Sequence, residues 1–315
     1  MENVVILGTG PAGLSAAIYA ARAELSPIIL RGDQPGGQVT ITDSLDNYPG
    51  FAEGVSGFEL FQTMEKQAER FGARIINDTA VSVDFKSLPL KIQGREKVYE
   101  AKTVIIATGS DPRKLNVPGE KEYVGRGVSY CATCDGFFFK DKKVIVVGGG
   151  DSAVDESLFL TRFASSVTIV HRRERLRANP HLQARANANE KMHFIWNSVV
   201  EEIIGKEMGG VNSVRLRDVN TGEEQIVKTD GVFVFIGHIP NTQIFQGQIN
   251  LDESNIIITD KRQRTNVPAV FAAGDVQDPV YRQAITSAGA GAMAAMEAEK
   301  YLAEISGTAY PGKME

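Results

Sequence analysis

One arrangement occurs twice in this chain and limits its folds more than any other feature: an apolar β-run, a glycine-rich turn and a small-residue helix. The first copy is Val4-Val5-Ile6-Leu7, then Gly8-Thr9-Gly10-Pro11-Ala12-Gly13, with a helix to about Arg22. The second is Val144 to Val147, then Gly148-Gly149-Gly150-Asp151-Ser152-Ala153, with a helix predicted over Ser152 to Arg162. In such a turn the glycines let the backbone approach a pyrophosphate, which rests on the partial positive charge of the helix N-terminus. A single match is weak, because any tight glycine-rich strand-to-helix turn resembles it. Two matches in the same context predict two dinucleotide sites.

The rest of each copy follows the same plan. A second strand (Ile28 to Leu30; Val167 to Val170) leads to short alternating runs that read as meanders, Arg74 to Glu100 and Val199 to Lys228. A buried strand then returns, Thr103 to Ile106 ending in Ala107-Thr108-Gly109, and Val232 to Phe235 ending in Ile236-Gly237-His238. In the first copy, between Leu30 and the meander at Arg74, Phe58, Phe61, Met64, Ala68 and Phe71 recur at helical spacing and predict a helix over Gly57 to Phe71, with the aromatic stripe in the core. The expected fold is α/β, with two Rossmann-like, three-layer ββα dinucleotide-binding domains. Gly109, Pro112, Pro118 and Gly119 break the pattern and place a boundary there. After Pro240 the composition changes towards Val270-Phe271-Ala272-Ala273-Gly274-Asp275 and a long helix from about Gln283 to Ile305. That tail has no strand partners of its own. It is expected to rejoin the first unit, giving one domain over 1–114 and 245–315 with the second, 115–244, inserted into it.

A length of 315 residues suits about two domains of roughly 150 residues. The net charge of −5 gives no reason to expect nucleic acid or an anionic membrane as partner. The longest uncharged apolar stretch, Val4 to Ala21, lacks a basic n-region and contains Gly8, Gly10, Pro11 and Gly13, so it reads as strand, turn and helix and not as a signal peptide. No other run approaches the roughly 20 residues that span a bilayer, and a soluble, cytoplasmic chain is expected. The two cysteines form one C-x-x-C, Cys131-Ala132-Thr133-Cys134, with Asp135 directly after it. Such a pair can cycle between dithiol and disulfide, and between two nucleotide sites it suggests an electron relay. The other reading of a C-x-x-C is half a zinc site. No second pair exists, and His171, His181, His193 and His238 stand far downstream without ligand spacing, so no metal is expected.

Roughly 20 residues after the second turn, where an NAD site would place an acid on the ribose 2′-hydroxyl, stands His171-Arg172-Arg173, with Arg175 and Arg177 behind it. Guanidinium forks hold a 2′-phosphate that an acid would repel, so this cluster points to NADPH. The competing reading is a solvated surface turn. At the first site Arg31-Gly32-Asp33 ends the second strand, which leaves Asp33 as the nearest candidate for a ribose clamp.

Together these residues closely resemble the low-molecular-weight thioredoxin reductases of the pyridine nucleotide-disulfide oxidoreductases, almost end to end. The matching stretches are Gly8 to Gly13, Gly36-Gly37-Gln38, Asn47-Tyr48-Pro49-Gly50-Phe51, Ala107-Thr108-Gly109, Cys131 to Gly136, Gly148 to Glu156, His171-Arg172-Arg173 with Arg177-Ala178, Gly274-Asp275-Val276 and Tyr281-Arg282-Gln283-Ala284. The resemblance implies a homodimer with FAD in the discontinuous domain, NADPH in the inserted one, and thioredoxin as the transient protein substrate. It implies that Cys134 faces the flavin, that Cys131 attacks the partner disulfide, and that Asp135 handles the dithiol proton. FAD contacts are implied at Gly8, Thr9, Gly10, Pro11, Ala12, Gly13, Arg31, Gly32, Gly36, Gly37, Gln38, Asn47, Val81, Ala107, Thr108, Gly109, Gly274, Asp275, Arg282, Gln283 and Ala284. NADPH contacts are implied at Gly149, Gly150, Asp151, Ser152, Ala153, Glu156, His171, Arg172, Arg173, Arg177, Ile236 and Gly237. Rotation of the inserted domain about segments near Leu115 to Gly119 and Gly237 to Asn241 is a further implication. A reductase of a peroxiredoxin or another redoxin would share these cofactors and thiols, a ferredoxin-driven enzyme would lack the arginines, and a non-catalytic nucleotide-binding redox sensor is the alternative of a different class.

Overall fold

Val4, Val5, Ile6 and Leu7 are consecutive and all buried, which requires a strand covered on both faces. That strand is β1 (Glu2–Leu7). The structure, a computed structural model, describes residues 1–42, 44–206 and 209–308. Its chain divides into one unit of Met1–Asp111 with Ile239–Glu315 and another of Pro112–His238.

In the first unit, α1 (Pro11–Arg22) carries the chain from β1 to a parallel β2 (Ile28–Leu30), and α2 (Gly57–Arg70) carries it on to a parallel β3 (Arg74–Ile76). The expected helix is present over Gly57–Arg70, capped by the Ser56 side chain, which accepts from the Glu59 N–H at 3.1 Å; its stripe is in the core only at Phe61, Met64 and Ala68, whereas Phe58 and Phe71 are exposed at its two ends. Antiparallel β4 (Ala80–Asp84), β5 (Leu90–Gly94) and β6 (Val98–Ile106) follow. Two expectations change here. The meander starts at β4 and not at Arg74, because β3 extends the parallel array, with Ile28 opposite Arg74. Nor do the meander and the returning strand separate, since β6 runs through nine residues, antiparallel to β5 up to Ala101 and parallel to β1 from there on.

The chain leaves this unit through β7 (Ser110–Pro112). The second unit is built from β8 (Val128–Ser129), α3 (Ala132–Asp135), β9 (Lys143–Gly148), α4 (Asp151–Leu160), β10 (Ser166–Val170), α5 (Pro180–Asn187), β11 (Met192–Ile195), β12 (Ser198–Gly205), β13 (Val211–Asp218), β14 (Glu224–Lys228) and β15 (Gly231–Phe235). Its parallel sheet has the order β11-β10-β9-β15-β8, and β12-β13-β14 form a separate antiparallel sheet. Helix α5 was not among the expected elements, although Asn179-Pro180 marks its start: the Asn179 side chain accepts from the Leu182 N–H at 3.0 Å.

After β16 (His238–Pro240), β17 (Val270–Ala272) pairs parallel with β6 and so adds a strand to the first sheet. Helix α6 (Ala284–Ser306) then packs on α1. Both faces are rich in buried alanine (Ala12, Ala16, Ala20; Ala290, Ala294, Ala298), and small side chains permit a close approach of helix axes. Among the described residues no helix is long and apolar enough to cross a membrane, and no His, Cys, Asp or Glu cluster is arranged to hold a metal ion.

A buried carboxylate fixes the chain after β3. Asp78, 6% exposed, accepts from the Tyr99 hydroxyl at 2.8 Å and from the N–H groups of Thr79 (2.7 Å), Arg95 (2.9 Å) and Glu96 (3.3 Å), while its own carbonyl accepts from the Gly32 N–H at 3.1 Å. Burial disfavours the charge, but the donors prevail: the Asp78 carboxyl lies below its ordinary 3.8, and burial together with Asp78 pushes the Tyr99 phenol up to about 12. Replacing Asp78 by Ala leaves these donors unpaired, and the expected loss is about 3 kcal/mol. Because the folded pKa is the lower one, this contribution is full above 3.8 and disappears as pH falls through the folded value. Denaturant titrations of both proteins between about pH 7 and pH 3 check this; a stability gap that does not narrow below pH 3.8 contradicts it.

Candidate active site

In the first unit the parallel ladder continues one residue past the strands. The Gly8 N–H bonds to the Leu30 carbonyl (2.9 Å), Ala107 to Leu7 (2.9 Å), Ala273 to Ile106 (2.9 Å) and Arg31 to Ile76 (3.0 Å). The Gly8 to Gly13 turn, Arg31-Gly32, Ala107-Thr108-Gly109 and Gly274-Asp275 therefore leave one sheet edge together, where open parallel sheets bind ligands. Thr9 ties the turn to its neighbours, donating to the Arg31 carbonyl (3.0 Å) and accepting from the Gly36 N–H (3.1 Å). Gly37 and Gln38 follow, with the Gln38 amide on Asp111. A Cβ at Gly13 would stand 1.9 Å from the Gly8 carbonyl oxygen, so only glycine lets α1 start this close to the turn. The helix has Pro11 at its first position and no side-chain cap from Gly10, so its first amides have no side-chain acceptor from the cap residue.

The far end of the chain supplies the other side. Gln283 caps α6, beginning at Ala284, and receives the Asn47 amide at 3.3 Å. Ser287 donates to Asp275 at 3.0 Å. Burial raises the Asp275 carboxyl pKa against that bond. Arg282 directs its guanidinium to the Pro279 carbonyl at 2.8 Å. Three expected positions are engaged elsewhere or stand apart. The Arg31 guanidinium pairs with Glu65 of α2; Asp33 is exposed and held by Arg95 (2.6 and 2.8 Å) and Thr79 (2.9 Å); Val81 is exposed on β4.

In the second unit Phe235 lies opposite Gly148, which puts Ile236 and Gly237 beside Gly149 at the edge where Gly149, Gly150 and the first turn of α4 (Asp151, Ser152, Ala153) meet. Gly150 gives α4 no side-chain cap. The segment after β10 folds back onto this turn, with the Arg177 and Ala178 N–H groups bonding to the Gly149 carbonyl at 2.7 and 3.1 Å. The His171 ring lies against Gly149, where a Cβ would come within 2.5 Å of it. Burial, Arg177 and Arg173 lower the His171 pKa, so it is neutral at pH 7, and its buried Nε2 has no hydrogen-bond partner among the described residues. Arg172, Arg173 and Arg177 are exposed and meet no carboxylate among the described residues. An uncapped helix start, an orphaned ring nitrogen and unneutralised guanidiniums fit a phosphorylated nucleotide.

Cys131 and Cys134 are joined as a disulfide, with Cα atoms 5.3 Å apart, and Cys131 caps the short α3 through its sulfur, which accepts from the Cys134 N–H at 3.2 Å. Both cysteines and Asp135 are half-buried. Sequence reasoning placed Glu156 with the nucleotide. The structure sets its carboxyl beside α3, where it accepts from the Ala132 N–H; burial, reinforced by Asp155, raises its pKa, and its Oε2 is buried without a partner among the described residues. Sequence reasoning missed two further features. Phe137 and Phe138, 62% and 43% exposed, follow the disulfide directly, an apolar surface signalled by Phe137-Phe138-Phe139. Buried Glu120 accepts from the Leu115 (2.8 Å) and Asn116 (2.7 Å) N–H groups and the Tyr130 hydroxyl (3.0 Å), tying the segment entering this unit to the residue before Cys131.

Comparison with known proteins agrees with this geometry. The pyridine nucleotide-disulphide oxidoreductase family matches residues 2–292. A protein named thioredoxin reductase from Rickettsia bellii is 55% identical over 95% of this chain and 98% of its own length, and one of the same name from Streptomyces clavuligerus is 49% identical over 97% and 95%. The crystal structure of thioredoxin reductase from Streptococcus pyogenes superimposes with a TM-score of 0.92 at 45% identity, covering 96% of this chain and 99% of that one. A paired C-x-x-C and two glycine turns at parallel-sheet edges, matched over nearly the whole length, place this chain in the pyridine nucleotide-disulphide oxidoreductase family, among its thioredoxin reductases.

Proposed function

We propose that the protein transfers electrons from NADPH through FAD and the Cys131–Cys134 disulfide to oxidised thioredoxin. The observation that carries this reading is a disulfide of C-x-x-C spacing in the same unit as a glycine turn faced by unneutralised arginines. FAD is assigned to the turn at Gly8 to Gly13 with Asp275 and Gln283, and NADPH to the turn at Gly148 to Ala153 with His171, Arg172, Arg173 and Arg177. Bound there, FAD would supply the two-electron chemistry that links a reduced nicotinamide to the Cys131–Cys134 disulfide.

Two electrons and two protons convert the Cys131–Cys134 disulfide to a dithiol. The Cys131 thiolate then attacks the partner disulfide, forming a mixed disulfide and releasing one partner thiolate. The Cys134 thiolate attacks Cys131 Sγ, restores the internal disulfide and releases the second partner thiol. Asp135 is assigned the proton given to and taken from these sulfurs, and Glu156 is a second carboxyl beside the same helix whose raised pKa favours holding a proton. The exposed rings of Phe137 and Phe138 offer a protein substrate an apolar contact beside the disulfide. A homodimer is proposed on the exposed apolar residues of α6, Ile285, Met293 and Met296. A reducing cytoplasm suits an enzyme that must return to the dithiol.

The purified protein, reconstituted with FAD if necessary, is expected to be yellow and to oxidise NADPH rapidly only when a thioredoxin disulfide is supplied. Folded protein that takes up no FAD contradicts the assignment. Cys131→Ser is expected to abolish thioredoxin reduction while NADPH still bleaches the flavin. Cys134→Ser should lose turnover as well, together with any long-wavelength charge-transfer absorbance in the reduced enzyme. Stopped-flow absorbance on both variants separates the sulfurs; full turnover in either one eliminates the relay. For the cofactor, Arg172→Ala and Arg177→Ala should each raise the NADPH KM about ten-fold, by loss of a charge-assisted bond, and leave the NADH KM nearly unchanged. Equal effects on both cofactors, measured as kcat/KM, would show that these arginines do not read the 2′-phosphate.

A further inference from the structure

The arginines that would read a 2′-phosphate stand on a loop, and a loop holds a guanidinium in place only if its backbone is fastened. Two sets of bonds fasten this one. The Gly149 carbonyl accepts from Arg177 and Ala178, as described. Just beyond, Asp151 Oδ1 accepts from both the backbone N–H (2.7 Å) and the side-chain amide (3.0 Å) of Asn179, which in turn caps α5 through the Leu182 N–H (3.0 Å). Asp151 is the first residue of α4, and its carboxylate would face the phosphates gathered at that helix start if it pointed inward. The two hydrogen bonds that it accepts from Asn179 commit the charge to the loop instead. The Arg177 guanidinium then lies over the glycine turn, 4.0 Å from where a Cβ on Gly150 would stand, while the ring of His171, 5% exposed, packs on the neighbouring Gly149.

We infer that Asp151 is a positioning residue for cofactor selectivity, acting through Asn179 to hold the Arg177 loop on the glycine turn and touching the 2′-phosphate not at all. This rests on the NADPH reading above and goes beyond it by assigning selectivity to a carboxylate. The charge of Asp151 is immaterial to this role; what counts is an acceptor oxygen at that place. An asparagine, turned with its amide oxygen towards Asn179, keeps the bond, whereas an alanine does not.

The test is binding to the full-length protein, by isothermal titration calorimetry, of adenosine 2′,5′-bisphosphate and of 5′-AMP, which differs from it only in lacking the 2′-phosphate. The starting protein should prefer the 2′-phosphorylated ligand by about ten-fold or more. Asp151→Ala should narrow that preference by about five-fold, the loss falling on the 2′-phosphorylated ligand more than on 5′-AMP, Asp151→Asn should retain it, and Asn179→Ser, which keeps a cap on α5, should narrow it in the same direction. An undiminished preference in Asp151→Ala overturns the inference while leaving the NADPH reading intact, as does a loss shared equally by both ligands. A starting protein with no preference overturns the 2′-phosphate reading itself and the role of Asp151 with it. Failure of Asp151→Asn to retain the preference that Asp151→Ala loses also overturns the inference, since it would make the charge the active property.

Discussion

A parallel strand can be re-entered only from its starting end, so every connection out of a parallel sheet must leave from the same edge and return across a face. In this protein that geometric necessity gathers the chemistry. β1, β2, β6 and β17 in one unit and β9, β10 and β15 in the other all deliver their loops to a single edge of their sheet. The strands are buried on both faces and tolerate little change; the loops carry the glycines, the arginines and the acids. Glycine at position 13 follows from the same constraint, because the helix after β1 must turn back within van der Waals contact of the strand end.

Electrostatics distinguishes the two glycine turns. Around the first, the cations are neutralised: Arg31 by Glu65, Arg95 by Asp33. Around the second, Arg172, Arg173 and Arg177 face no carboxylate among the described residues, and the only acid at the helix start, Asp151, is turned away by Asn179. Like charges held together without a counter-ion repel one another, so the second turn carries a standing attraction for an anion that the first lacks. An anion bound there also relieves that repulsion. The difference accords with a cofactor bearing an additional phosphate at the second site.

The redox segment depends on its surroundings as much as on its two sulfurs. Helix α3 has only four residues, too short to be stable alone, and is held by packing on α4, by the Glu156 carboxyl on the Ala132 amide and by the Ser129 hydroxyl on the Cys131 N–H at 3.1 Å. Upstream, Glu120 fastens Tyr130 to Leu115 and Asn116. The disulfide therefore sits on a support fixed from both sides, which keeps the sulfurs positioned when they become two separate thiols.

Much of this could be read from the chain alone, for a definite reason. Strands such as Val4 to Leu7, the glycine turns, the C-x-x-C and the arginine run are local patterns, set by backbone sterics and burial over a few neighbouring residues. The sequence alone therefore determined two strand-turn-helix units, their reactive thiols, and a tail that had to find its sheet elsewhere. Contacts between residues far apart in the chain leave no such pattern. Nothing periodic announces that Asp33 will be taken by Arg95, that one strand will serve both as meander and as parallel strand, that Glu156 will lie under the redox helix, or that Asp151 will reach Asn179 across 28 positions. Those pairings were decided only when packing of the sheets and helices had fixed which polar groups lost water together and had to satisfy one another.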